Sequence, residues 1–339
     1  MHVVRPVRQD DLARLVALAE QSGHGAGRAH RMPADADALG AAIARSTDAF
    51  SARVERPGDQ RYLLVLERGA DGALEGCASI TALAGAGSTY FAFRRDLLRQ
   101  VSVELRMAHE MAALTMNSEL SRHSHLCASY VRPGVGAAPA ALLARARVLL
   151  AAAAPHRFAE RFFASLPGPM DGTRQPFWDA VGGHFFGMPL ERLETMLGAT
   201  RMHPAMVEMM PHYPIYVDLL AADAQAALGR SDAAAAVFRD ALADEGFRDG
   251  RYAGLLDGGA VLHARRAQLR SFAAGARRAA APCATVAATP SHIVANARAG
   301  AFRALLAGVG DAGGAAGLSR ASMDALGLAG GDEVLCVEL

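Results

Sequence analysis

Lysine is missing from this sequence: all 35 cationic side chains are arginine. The absence excludes chemistries that need a lysine amine, namely P-loop phosphate binding, pyridoxal-phosphate and Schiff-base catalysis, and protein-kinase phosphoryl transfer. A genome that favours Arg and Ala codons accounts for the bias, and the exclusion holds whatever its cause. Tryptophan is reduced to one residue, Trp178. The four cysteines, Cys77, Cys127, Cys283 and Cys336, form no CxxC pair, so the expectation is free, mostly buried thiols in a reducing cytoplasm and no metal site. No apolar run is long enough for a membrane span; residues 140–155 come nearest and contain Arg145 and Arg147. Residues 1–6 have no signal-peptide layout, which again points to the cytoplasm. Neither sign of charge dominates: 34 acidic residues against 35 basic leave +1, which argues against a nucleic-acid surface.

What is present suits a large folded core. Hydrophobic residues make up 52% of the chain, and 339 residues suggest two domains or one with two lobes. Residues 3–7 read as a strand. Asp10 or Asp11 can cap the next helix, whose apolar stripe is Leu12, Leu15, Val16 and Ala19. A Gly-, Ala- and Asp-rich stretch at 22–59 holds a helix near 37–50. Residues 61–67 and 76–83 make a hairpin around a glycine-bearing turn. Residues 98–120 are weakly amphipathic. A strand at 125–131 ends at Pro133, and an Ala-rich helix occupies 136–154. Residues 158–166 have strand or helix character. Two Ala-rich helices follow up to about residue 244, then a strand at 261–264. Residues 273–290 read as a poorly ordered linker, 293–296 with 302–307 as a terminal hairpin, and 334–337 as the tail. Interleaved strands and helices make the class α/β or α+β.

The order strand, capped helix, hairpin, strand, loop and helix looks like a GNAT-type acyltransferase. Four longer strings are more specific: QPFWDAVGGHFF at 175–186, EMMPHYPIYVDL at 208–219, EGFRDGRYAGLLDGGAVLHA at 245–264 and VANARAGAFRA at 294–304. Together they resemble the arginine N-succinyltransferase family, with a leaning toward the alpha-type subunit of the arginine/ornithine enzyme. The resemblance covers nearly the whole chain except 22–59 and 273–290.

That resemblance implies tandem GNAT-like modules with mixed, mainly antiparallel sheets flanked by helices. It implies a first acyl-CoA module at 1–190, a second half at 191–272, and a linker with a small β-rich segment at 273–339 completing that half. It implies transfer of succinyl from succinyl-CoA to the α-amine of arginine or ornithine in arginine catabolism. It also implies an oligomer, of this chain or with a related beta-type subunit. The strand at 125–131 and the loop after it would hold the cosubstrate through Ser129, Tyr130, Val131, Gly134 and Gly136, with amides and a helix dipole receiving the pyrophosphate. The family's proton donor is a His in a Gly-x-x-His-Pro string; the matching string is Gly229-Arg230-Ser231-Asp232-Ala233, which puts Asp232 at that position. His212, in a retained string, is the second acid–base candidate, although a packed turn residue is the plainer reading. Asp257 and Glu208 are candidates for the cationic substrate, with a turn role for Asp257 and a solvated helix residue for Glu208 as the alternatives. Departures stand at Ser165, where the family usually carries Glu, at 118–122, and at 133–141, which holds no cation. They leave open a non-catalytic, partner-supporting or regulatory subunit.

Overall fold

An apolar strand opens the chain, β1 (His2–Pro6), and it pairs with β2 (Arg61–Arg68), which pairs with β3 (Leu74–Thr81), all antiparallel. The structure, a computed structural model, describes residues 1–21, 35–197 and 204–339; residues 22–34 of the expected Gly-rich stretch lie outside them. Strands β2 and β3 are buried on both faces, so they carry unbroken apolar runs such as Leu63–Leu66 rather than alternation. Between β1 and β2 lie α1 (Leu12–Gln21) and α2 (Ala36–Ser51), and Asp35 caps α2 by accepting the Asp37 and Ala38 N–H groups.

Asp11 does something other than the expected capping of α1. It is fully buried, accepts both terminal nitrogens of the buried Arg5 at 2.8 and 3.0 Å, and takes the Arg8 N–H at 2.7 Å. Burial pushes its carboxyl up, but the Arg5 and Arg8 hydrogen bonds and the charges of Arg5 and Arg14 outweigh burial and hold it below the usual range. A depressed folded pKa contributes stability above the unfolded pKa that is lost as pH falls through the folded one. Asp11→Asn should therefore lower neutral-pH stability by about 2 kcal/mol. The penalty should shrink below about pH 4, as urea unfolding at several pH values will show.

Next come β4 (Ala92–Ser102) and β5 (Met107–Asn117), so the weakly amphipathic stretch is a long two-stranded ribbon. Cross-strand pairs such as Arg99↔Glu110 and Leu98↔Met111 account for its weak amphipathicity. Strand β6 (Ser124–Val131), α3 (Ala137–Ala153) and β7 (Arg161–Ser165) follow at the expected places. Short elements lead on: α4 (Pro176–Ala180), α5 (Gly182–Phe186), α6 (Leu190–Leu197), α7 (Pro204–Met209), β8 (Ile215–Tyr216) and α8 (Ala222–Ala227). Then come α9 (Ala236–Glu245), β9 (Arg248–Ala253), β10 (Ala260–Arg265) and α10 (Arg270–Ala273).

The expected linker contains a strand. β11 (Ala276–Pro282) is flanked by β15 (Ala315–Leu318) and β16 (Glu333–Glu338). Its small alanines look featureless in sequence, yet Ala280 is core, and Arg277 reaches across to Glu333 and the Ala152 carbonyl. The remaining elements are β12 (His292–Asn296), β13 (Ala304–Ala307), β14 (Gly310–Ala312) and α11 (Arg320–Leu326), with β12 and β13 forming the expected hairpin.

The described strands join one sheet in the order β14-β15-β11-β16-β12-β13-β1-β2-β3-β6-β7-β10-β9-β4-β5-β8. Among the described residues only β6–β7 and β11–β15 run parallel. The fold is the expected mixed α/β arrangement, with α3 at its centre: Leu143, Leu149 and Leu150 pack with Leu64, Ile80 and Phe162, and with Leu242 of α9. The Arg145 Nε donates to Glu245 at 2.9 Å, both side chains buried, and Glu245 also accepts the Ser271 N–H at 2.6 Å. This buried pair ties α3 to α9 and α10. Among the described residues no helix is long and apolar enough to cross a membrane.

Candidate active site

Strands β6 and β7 run side by side only briefly. Their parallel register covers Ser124↔Phe162, His125↔Phe163 and Leu126↔Ala164, and then stops. On its other side β6 stays paired with β3 as far as Gly76↔Val131, but the register slips between Ser79↔Cys127 and Cys77↔Tyr130. Three steps along β6 match two along β3, which is a bulge beside Ser129. A bulge bends its strand, so β6 leaves β7 beyond Leu126 and the sheet opens into a wedge. Among the described residues the β7-facing backbone of residues 127–131 has no strand opposite it, and such backbone is available to a ligand.

The wedge leads to the start of α3. Gly134 takes φ +89°, a left-handed turn that favours glycine, and Gly136 is the N-cap without a side-chain cap. A 17-residue helix with an uncapped first turn presents free N–H groups and a positive dipole end. The nearby arginines are engaged elsewhere, at least in part, among the described residues. Arg132 donates to Glu75 at 2.9 Å, and Arg145 is held by Glu245. Arg147 is buried, where desolvation lowers its guanidinium to about 10 despite the Cys127 thiol nearby, and its Nε bonds the Ala144 carbonyl.

At the root of the wedge a buried polar pair faces across the strands. His125 Nε2 lies 2.7 Å from Ser165 Oγ; the imidazole stacks on Phe163 at 4.2 Å and meets the edge of Tyr90 at 5.1 Å. The stack and the edge contact fix the ring plane, so one nitrogen is aimed at the hydroxyl. His125 did not stand among the site candidates from the sequence, and Ser165 stood there only as a departure where the family usually carries Glu. The signal available there was a histidine in an apolar strand, with a serine forty positions on that only the fold brings to the same face.

Three backbone segments knit together at the end of β7. The Asp232 N–H donates to the Pro167 carbonyl at 2.7 Å, Gly229 N–H to Gly258 O at 2.8 Å, and Ala260 N–H to Arg230 O at 3.0 Å. Asp257 is buried and accepts from Gly168 N–H at 3.1 Å and Gly259 N–H at 2.9 Å, which matches the turn role weighed for it. A Cβ on Gly259 would lie 2.3 Å from the Leu166 carbonyl, so this crossing needs glycine. Gly259→Ala should cost about 2 kcal/mol of stability and weaken any site at the end of β7, measurable by thermal unfolding.

The structure thus places Asp232 and Asp257 against Pro167 and Gly168 just past β7, whose last residue, Ser165, faces His125, with Ser129, Tyr130 and Val131 further along β6. Asp232 is half-buried, and its carboxylate accepts the Ala234 N–H at 2.9 Å as an N-cap. Tyr130 is half-buried, and burial raises its phenol. Glu208 and His212 are not in the cluster: both are exposed, on α7 and the turn after it, which packs through Met206 and Met210. Among the described residues no three His, Cys, Asp or Glu side chains gather as a metal site would require. The four cysteines are free, with Cys77 and Cys336 buried.

The wedge, the bulge and the helix start stand beside clear likenesses to known proteins. The family model described as "Arginine N-succinyltransferase beta subunit" matches residues 2–271, and that of its C-terminal domain matches residues 278–338. The chain is similar to arginine N-succinyltransferase subunit alpha of Pseudomonas aeruginosa, 36% identical over 80% of each chain. It is similar to arginine N-succinyltransferase of Enterobacter sp., 31% identical over all of this chain and 98% of the relative. A solved structure of arginine/ornithine succinyltransferase subunit AI from Pseudomonas aeruginosa superposes with TM-score 0.88 at 31% identity, over 100% of this chain and 98% of the other. On the strength of these matches, which span both the amino-terminal and the carboxy-terminal part, the chain belongs to the arginine N-succinyltransferase family.

Proposed function

We propose that this chain transfers succinyl from succinyl-CoA to the α-amine of arginine or ornithine, in arginine catabolism in the cytoplasm and without a metal. The observation that carries the reading is the wedge between β6 and β7 opening onto the uncapped start of α3. Its free strand edge suits the amide groups of a pantetheine arm, and the helix start suits a pyrophosphate. The segment around Ser129, Tyr130, Val131, Gly134 and Gly136 is therefore the proposed cosubstrate site. Fixed N–H donors there would stabilise the oxyanion as the thioester carbonyl is attacked.

In the reaction the amine nitrogen bonds to the thioester carbon, the C–S bond breaks, and its electron pair leaves on sulfur. The amine must lose a proton. Ser165 Oγ, at 2.7 Å from His125 Nε2, supports a relay in which the hydroxyl takes the amine proton while passing its own to the imidazole. Asp232 and Asp257, held against residues 167–168 just past Ser165, are proposed for the cationic end of the acceptor. Asp232 also remains the position of the family's proton donor, with His212 a second acid–base candidate and Glu208 a second candidate for the cation. We keep the division at 1–190, 191–272 and 273–339 as a proposal, together with assembly as an oligomer of this chain or with a related beta-type subunit.

The test is thiol release from succinyl-CoA on addition of arginine or ornithine, run alongside Asp232→Asn and His212→Ala. Thiol release that depends on the amino acid is the expected result. The cation-free loop at residues 133–141 favours the other reading, a non-catalytic subunit, and absence of turnover with retained CoA binding would select it.

A further inference from the structure

Arg147 is the one buried arginine without a counter-charge among the described residues. Arg5, Arg145 and Arg147 are the buried arginines there. Arg5 lies between Asp11 and Glu67, and Arg145 is paired with Glu245. Arg147 is 1% exposed, its Nε donates to the Ala144 carbonyl at 3.2 Å, and its Nη2 is out of reach of solvent with no partner. A guanidinium stays charged in such a place and is costly to hold there uncompensated. A composition without lysine explains arginine on the surface but not an unpaired charge in the core.

The place of that charge follows from α3. Strands β6 and β7 are parallel and α3 connects them, so the helix runs back along β6. Leu143 marks the register. A Cβ on Gly76 would lie 3.0 Å from Leu143 Cδ2 and 2.8 Å from Val131 Cγ1, and Gly76 pairs with Val131. Arg147 is four residues further on the same face, about 6 Å along the axis, or about two residues of strand. That sets it over Ser129 and the bulge, at the side of the wedge, where the Cys127 thiol is also near its charge.

We propose that Arg147 selects the acyl donor, its buried charge holding the free carboxylate of the succinyl group against the β6 bulge. A carboxylate drawn out of water into the wedge needs a cation, and a buried guanidinium without a carboxylate needs an anion, so binding satisfies both. A thioester with a methyl group in place of the carboxylate leaves the charge as it is. The acceptor brings a carboxylate too, but Asp232 and Asp257 lie on the β7 side of the wedge, at residues 167–168, so the donor is the source assigned to Arg147. The inference rests on the proposed cosubstrate site and names what sets its specificity.

Calorimetric titration of the full-length chain with succinyl-CoA and with butyryl-CoA tests this without requiring turnover. The wild type should bind succinyl-CoA about 10- to 100-fold more tightly, the scale of one charge-assisted bond. Arg147→Met should lose that preference, bind butyryl-CoA as before, and melt no lower than the wild type, since an uncompensated charge has left the core. Arg147→Lys should keep part of the preference, and it carries the comparison if methionine is not tolerated. A preference retained in Arg147→Met overturns the proposal. So does an equal loss for both thioesters, which a merely structural role would give. A change confined to arginine against argininamide, with the thioesters unaffected, assigns the charge to the acceptor and overturns it as well. A wild type that binds neither thioester removes the cosubstrate site itself, whereas the expected preference without succinyl transfer counts only against the chemistry.

Discussion

Replacing His125 by alanine lowers kcat for succinyl transfer by about 10²- to 10⁴-fold, the range for loss of a positioned general base. The expectation follows from placement. The imidazole is locked against Phe163 and Tyr90 and aimed at Ser165 Oγ, at the point where β6 and β7 part. Alanine also leaves a void and removes the imidazole that bonds the Ser165 hydroxyl, so part of any loss is structural. His125→Gln separates the two effects by keeping bulk and a polar end. With glutamine the fold should be retained, kcat should fall far more than KM changes, and the acid limb of the pH–rate profile should vanish. Ser165→Ala should give a smaller loss than His125→Ala, because a water can bridge amine and imidazole. A pH–rate profile unchanged in His125→Gln would remove the pair from the mechanism.

The second large effect is on stability. Glu245→Ala should destabilise the chain by about 3–5 kcal/mol, because it leaves the Arg145 guanidinium buried without its counter-charge. Both side chains are buried, and the same carboxylate accepts the Ser271 N–H, so α3, α9 and α10 lose a common tie. Replacing both partners with apolar residues, Arg145→Met and Glu245→Leu, should cost much less than the single change, since no charge is then stranded. Urea midpoints of the three proteins decide the matter. A single variant that unfolds at the wild-type midpoint would mean that the pair carries no net weight.

Sequence and structure agree where local pattern and tertiary burial demand the same thing. The apolar runs of β2 and β3, the Ala- and Leu-rich α3 and the β12–β13 hairpin are legible because each buries the face its composition predicts. The ribbon and β11 are not. β4 and β5 are stabilised by each other rather than by an inward stripe, and β11 buries alanines that give no periodic signal. The same limit applies to the candidate site. Ser129, Tyr130 and Val131 lie on one strand and could be read as a unit, but the wedge depends on a bulge set by pairing with β3. The pairing of His125 with Ser165 depends on β7 returning beside β6 after a full helix. Asp232 and Asp257 both bond to the turn at residues 167–168 because the loop segments that carry them meet there at the end of β7, a contact between chain segments that no local spacing encodes. Glu208 and His212, by contrast, belong to a retained string whose apolar members Met210 and Val217 pack in the core, while these two polar residues stay exposed.

The most direct measurement of the central claim is mass spectrometry of arginine after incubation with succinyl-CoA and the purified full-length chain. The account predicts arginine carrying one succinyl group on its α-nitrogen, formed in step with free CoA and suppressed in His125→Gln. Recovery of unmodified arginine and intact thioester from a folded, CoA-binding protein would contradict it.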